Sequence, residues 1–217
     1  MTRISLPPSP WIFDADDWPD DDCVAAGADL APGTLLEAYR RGAFPMPNGP
    51  DLLWWSPLRR GVLVPGDLKV SRSLGRSVRR FTVTMDESFE EVIDACADPS
   101  RPGSWIDSAI RDAYVRMHDL GWAHSIETRT LDGTLVGGLY GLSIGGLFAG
   151  ESMFHRATDA SKVALVALAD IVGAEGLVDT QWSTPHLASL GVTEWPRATY
   201  LERIETLVDA APPAVWR

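Results

Sequence analysis

The sequence predicts an α+β protein in two parts, a small irregular N-terminal part and a more regular C-terminal one. Three observations predict it. Residues 107–209 read, in order, as helix, three antiparallel strands, helix, strand and helix. Asp132-Gly133 sits between two strand-like runs, the strongest short hairpin signal. The first 22 residues are rich in Pro and Asp and show no periodicity, which reads as an arm or irregular loop. A boundary is expected near Pro99–Gly103, dividing the chain into residues 1–100 and 101–217.

The elements follow from local signals. Pro32 opens a short helix through Gly33–Arg41, with proline in its first turn and Gly42 as its stop. Phe44-Pro45-Met46-Pro47-Asn48-Gly49-Pro50 reads as a turn-rich loop leading into the apolar segment Leu52–Trp55, which Ser56-Pro57 ends. Arg79–Met85 alternates towards a strand, and Asp86–Ala97 towards a helix with Phe89, Val92, Ile93 and Cys96 on one side. Asp107 caps a helix that runs to Leu120 and stops at Gly121. Ala123–Thr130 and Thr134–Tyr140 flank the hairpin turn, and Gly145-Gly146 precedes a third strand, Leu147–Ser152. Asp159 caps a helix from Ala160 to about Val172. Leu177–Trp182 is a strand, and helices at Pro185–Leu190 and Ala198–Asp209 complete the chain. That order suits an α+β acyl-transfer architecture of the acetyltransferase-like (GNAT-like) type.

Composition bounds the classes. The 217 residues are 45% hydrophobic and 23% charged, an ordinary globular mix able to bury a sizeable core. Cys23 and Cys96 form no CxxC, so neither a disulfide framework nor a zinc site is read from them. No signal-peptide pattern opens the chain and no run of 18 apolar residues occurs, so a cytoplasmic protein without a membrane span is expected. His118, His124, His155 and His186 lack metal-site spacing and read as structural. The net charge of −11 conceals an asymmetry. Residues 14–29 carry seven Asp and no Lys or Arg. Residues 59–80 carry Arg59, Arg60, Lys69, Arg72, Arg76, Arg79 and Arg80 against Asp67 alone. A basic patch on an acidic protein can hold a polyanion locally; a solvated Arg-rich helix face fits the same composition.

An ordered set of strings resembles the leucyl/phenylalanyl-tRNA–protein transferase family. They include Ala38-Tyr39-Arg40-Arg41-Gly42-Ala43-Phe44-Pro45, Leu53-Trp54-Trp55-Ser56-Pro57, Trp105-Ile106, Leu135-Val136-Gly137-Gly138-Leu139-Tyr140-Gly141, Phe148-Ala149-Gly150-Glu151-Ser152-Met153-Phe154, Val178-Asp179-Thr180-Gln181 and His186-Leu187-Ala188-Ser189-Leu190-Gly191. They occur in family order over roughly residues 24–200. The resemblance implies a small N-terminal domain beside an acetyltransferase-like one. It also implies that Leu or Phe, with Met left open, moves from aminoacyl-tRNA to proteins beginning with Arg or Lys, marking them for degradation.

That reaction is aminolysis of an activated ester, so no metal or nucleotide cofactor is expected. The difficulty is the proton, because an α-amine with a pKa near 8 is mostly protonated at neutral pH. Asp179 and Gln181, two apart on an expected strand, place a carboxylate and an amide on one face; a strand-end cap and a surface amide fit the spacing too. The resemblance assigns the pair to catalysis, with Gln181 on the amine and Asp179 orienting it. Glu151 is the first candidate for the acidic subsite that a basic N-terminal residue requires, the bland alternative being an ion pair with Lys162. Leu139, Phe148, Leu165, Leu168, Val172 and Val178 are candidates for the donor side-chain pocket, or for plain core. Trp54, Trp55 and Trp105 are candidates to stack on the terminal adenosine. Arg59, Arg60, Arg72, Arg76, Arg79 and Arg80 are candidates for tRNA phosphates. A monomer is expected. The competing reading is an acetyl-CoA-dependent N-acetyltransferase, disfavoured because Arg156–Ser161 has no glycine and puts Asp159 where a pyrophosphate would sit.

Overall fold

The computed structural model describes residues 3–101 and 105–216. Two sheets organise it. The smaller holds β1 (Cys23–Ala26), β3 (Asp51–Trp55) and β2 (Phe44–Asn48) in that order, with α1 (Pro32–Arg40) beside it. The segment expected to be a turn-rich loop is therefore strand β2. Its two prolines are tolerated because β2 is an edge strand and Pro45 and Pro47 alternate, leaving Phe44, Met46 and Asn48 to supply amides on the paired side.

The larger sheet has seven strands in the order β10 (Thr193–Pro196), β4 (Arg59–Leu63), β9 (Leu177–Gln181), β8 (Leu147–His155), β7 (Leu135–Ile144), β6 (Ala123–Arg129), β5 (Thr82–Met85). All neighbours are antiparallel except β8 and β9. Strands from both sides of the expected 100/101 division share this one sheet, and the residues around Pro99–Gly103 lie partly outside the described ones. Strands β4 and β10 escaped the sequence reading. Arg59-Arg60 disguised the first as part of a basic surface, and the second is a four-residue edge strand.

Alternation along the strands sends side chains to two cores. Leu147, Ala149, Tyr140 and Leu142 point to one face, against α3 (Phe89–Cys96) and α4 (Ser108–Asp119). Phe148, Leu139 and Val178 point to the other, against α5 (Ala160–Val172), with α2 (Arg72–Val78) packed on α5. The helices α6 (Pro185–Ser189) and α7 (Arg197–Leu207) complete the fold. Phe89, Val92, Ile93 and Cys96 are all buried, as their helical spacing requires. Asp107 caps α4 by accepting from the Ile110 amide at 2.8 Å. Asp159 does not cap α5 with its side chain. It is in the left-handed region, and its carboxylate accepts from Ser77 of α2 (2.9 Å) and Lys162 (2.9 Å) instead.

Candidate active site

The parallel strands β8 and β9 are paired from Leu147↔Leu177 to Ala149↔Asp179, and the pairing ends there. Beyond that point lies a cavity of about 280 Å³, lined from both strands. Leu139, Leu165, Leu168, Val178, Met153 and Leu187 give it apolar walls, while Glu151, Ser152, Thr180, Gln181, Thr184, His186 and Arg101 supply polar groups. Gly150 forms part of the wall, and the space there is not required by packing. A Cβ on Gly150 would meet only the Asp179 carbonyl oxygen at 3.5 Å, whereas one on Gly137 would come within 2.5 Å of Ala160. The missing side chain leaves the cavity open.

Glu151 stands where β8 bulges, in the register shift opposite Tyr140/Gly141. The Tyr39 hydroxyl of α1 is hydrogen-bonded to its Oε1 at 2.6 Å and the Tyr114 hydroxyl of α4 to its Oε2 at 3.0 Å, and the two hydroxyls also touch each other. The Gln181 amide reaches Oε1 at 3.4 Å. Burial pushes the Glu151 carboxyl up to about 8, against the two phenol donors that favour its charge. Lys162, the alternative partner weighed from the sequence, pairs with Asp159 instead.

Asp179 is fully enclosed and is not on the cavity wall. Arg60 grips it with Nε on Oδ1 (2.8 Å) and Nη2 on Oδ2 (2.6 Å), the Tyr200 hydroxyl donates to Oδ2 (2.8 Å), and the Gln181 backbone amide donates to Oδ1 (2.9 Å). The expectation that Asp179 and Gln181 face one site fails because the strand does not keep its pleat. A register shift sets Gly61 opposite Gln181 and Val62 opposite Asp179, so Thr180 is extra, and Gln181 takes φ +57°. Thr180 and Gln181 thus both line the cavity, and Asp179 fixes the turn from behind. A left-handed glutamine costs of order 1 kcal/mol, and such outliers gather at functional sites.

Arg60 is the clearest displacement from the sequence reading. Expected on tRNA phosphates, it is 1% exposed, and it also donates to the Gly42 carbonyl (3.0 Å) and stacks over Tyr200. Burial opposes its charge, but Asp179 outweighs burial and holds its pKa above the ordinary value.

The profile of the leucyl/phenylalanyl-tRNA protein transferase family matches residues 62–205, and the profile of that family's N-terminal domain matches residues 28–58. The chain belongs to the leucyl/phenylalanyl-tRNA–protein transferase family. Similar curated relatives bear the same name. The one from Aromatoleum aromaticum is 48% identical over 95% of this chain and 94% of its own length. The one from Stutzerimonas stutzeri is 50% identical over 89% and 88%. Among solved structures, the L-PGS of Bacillus licheniformis overlaps 69% of this chain and 64% of its own at 9% identity and a TM-score of 0.41.

As a member of this family the chain is an aminoacyltransferase whose donor is an aminoacyl-tRNA. Its other sequence candidates distribute as follows. Of the six proposed for the donor pocket, Leu139, Leu165, Leu168 and Val178 line the cavity. Phe148 is fully enclosed and stacked on Trp216 at 5.4 Å, and Val172 lies at the C-terminal end of α5, in contact range of Gly176. Neither is on the cavity wall. Trp54 offers no face to a base, being fully buried with its indole N–H on the Gly27 carbonyl (2.8 Å) and Phe13 against it edge to face. Trp55 and Trp105 are half-buried, Trp55 with Trp182 edge to face at 5.8 Å. Arg59 faces Glu194 at 3.7 Å, while Arg72, Arg76, Arg79 and Arg80 are exposed on and just after α2 and form no salt bridge among the described residues. His186, read as structural, lines the cavity, and burial lowers its pKa. The sequence reading missed the parts played by Tyr39, Tyr114 and Tyr200. Tyr39 lay inside a resemblance string, and nothing local marked the other two.

Proposed function

We propose that the cavity is the donor side-chain pocket and that the enzyme moves Leu or Phe from aminoacyl-tRNA to the α-amine of proteins with N-terminal Arg or Lys. The observation that carries this reading is a slot with apolar walls whose polar end is the pair Gln181–Glu151, in a chain of this family. A branched or aromatic side chain fits such walls. The ester carbonyl then lies near Gln181, and the acceptor's α-amine near Glu151, the other polar group at that end of the cavity. Asp179 is a positioning residue: both its oxygens are engaged, so it shapes the 179–181 turn rather than taking a proton. We assign the fold to the acetyltransferase-like type, since its order α4, β6, β7, β8, α5, β9 and the parting of β8 from β9 suit that architecture.

The exposed arginines of α2 are placed to hold acceptor-stem phosphates, with Trp55 and Trp105 the remaining candidates for the terminal base. A cytoplasmic location suits a tRNA-dependent reaction, and among the described residues no helix is long and apolar enough to cross a membrane. The acetyl-CoA reading is disfavoured by Asp159, whose carboxylate stands at the start of α5. One assay tests the proposal: radiolabelled leucyl-tRNA, a protein beginning with Arg, and purified enzyme. Transfer that is lost in Gln181→Ala and Asp179→Ala supports it. Activity with acetyl-CoA alone, or tRNA binding without transfer, refutes it.

A further inference from the structure

Counting hydrogens around Glu151 leads beyond its place at the polar end of the cavity. Three oxygen–oxygen contacts link the group: Tyr39 with Oε1, Tyr114 with Oε2, and Tyr39 with Tyr114. The two phenols bring two hydrogens. An ionised carboxylate brings none, so one of the three contacts would set lone pairs against each other. With a proton on the carboxyl, all three contacts are satisfied head to tail. Oε2–H donates to Tyr114, Tyr114 donates to Tyr39, and Tyr39 donates to Oε1. The ring closes equally well in the reverse direction, with the proton on Oε1.

We propose that Glu151 carries a proton in the resting enzyme, in a three-membered ring with Tyr39 and Tyr114, and that this proton leaves with the ribose oxygen during transfer. The inference rests on the donor-pocket reading above. The neutral α-amine attacks the ester carbonyl, the N–C bond forms and the C–O bond to the ribose breaks. One carboxyl oxygen of Glu151 takes the proton shed by the amine, and the other gives its proton to the departing ribose oxygen. Glu151 ends as neutral as it began, with its proton on the other oxygen, and the two phenol hydrogens turn to close the ring the other way. The amine's first proton is lost to solvent before attack, since its pKa lies at about 8, and for the second no base other than Glu151 is required. Glu151 is then a catalytic residue, while Tyr39 and Tyr114 are positioning residues.

The charged and titratable neighbours agree. Tyr39, Tyr114 and Tyr140 face the carboxyl from α1, α4 and β7, and phenols are neutral at working pH. Asp179 of β9 opposes a second negative charge, and Arg60, which would favour one, is gripped by Asp179. Arg101, elsewhere on the cavity wall, turns its guanidinium to the Cys96 and Met153 carbonyls.

Infrared difference spectroscopy on the full-length enzyme without tRNA, wild type against Glu151→Gln, reads the proton directly. A protonated-carboxyl carbonyl band is expected at pH 7, fading as pH is raised through about 8. In at least one of Tyr39→Phe and Tyr114→Phe the same band should move to higher frequency, because the carbonyl oxygen, whichever of the two it is, loses its phenol donor. A difference spectrum showing only carboxylate at pH 7, or a band indifferent to both tyrosine substitutions, overturns the proposal. The transfer assay is run on the same samples: a wild type that transfers leucine but lacks the band sinks the proton inference alone, whereas one that transfers nothing sinks the function. Near-ultraviolet circular dichroism confirms that each variant is folded.

Discussion

At the scale of single residues, the site is governed by what burial does to charge. Glu151 has a folded pKa above its unfolded one, so the folded state binds more protons than the unfolded state between about 4.5 and about 8. Stability therefore falls as pH rises through that window. Thermal melts of wild type and Glu151→Gln should converge near pH 5, with the variant the more stable at pH 9; parallel melting curves across the window would contradict the raised pKa. Arg60 and Asp179 present the opposite case, a charge pair that is costly to bury and more costly to break. Arg60→Met leaves Asp179 enclosed without its counter-charge and should lose about 3–5 kcal/mol in urea denaturation. A loss below about 1 kcal/mol would mean that the pair is not enclosed as described. Neither residue's environment could be read locally. Arg60 sits in a basic stretch, and only the fold brings Asp179 to it from 119 positions away.

At the scale of elements, legibility followed periodicity and capping. The helices α3, α4 and α5 and the hairpin β6–β7 announce themselves through apolar spacing, Asp107 and Asp132-Gly133. What could not be read was the bulge at Thr180, since an extra residue in one strand is defined only by its partner. The same holds for β2, where two prolines argue against a strand until its edge position is known. Two predictions belong here. Gly150→Ala should fold normally, because its Cβ meets nothing closer than 3.5 Å. It should lower kcat/KM for phenylalanyl-tRNA more than for leucyl-tRNA, by about tenfold or more; equal losses would place the donor side chain elsewhere. Each of Arg72→Ala, Arg76→Ala and Arg79→Ala should flatten the dependence of log affinity for tRNA on log salt by about 0.7–1 without altering stability. An unchanged slope in all three would remove α2 from the tRNA interface.

For the molecule as a whole, the acidic N-terminal segment turns out to be stitched to the body. Arg3 donates to the Ser143 carbonyl (3.0 Å), the Ile4 amide to that of Leu120 (3.0 Å), and Phe13 is buried against Trp54. Asp22 accepts from the Leu58 amide (2.8 Å) and the Trp182 indole (3.1 Å), and its carbonyl accepts from the Ser56 amide (2.8 Å). A run of aspartates looks like a solubility tail because composition says nothing of which member is anchored. Asp22→Ala should destabilise by about 1–3 kcal/mol, and Asp16→Ala, at an exposed position, by much less; equal effects would count against the anchoring.

The grip of Arg60 on Asp179 also bears on how the enzyme comes into being. During synthesis the arginine leaves the ribosome long before its carboxylate exists, and strand β4 has to wait for β9 before it gains that neighbour in the sheet. The arginines of α2 emerge early, yet the 179–181 turn cannot take shape until nearly the whole chain has been made. A half-built polypeptide therefore carries the α2 arginines without the turn that sets Gln181 on the cavity wall.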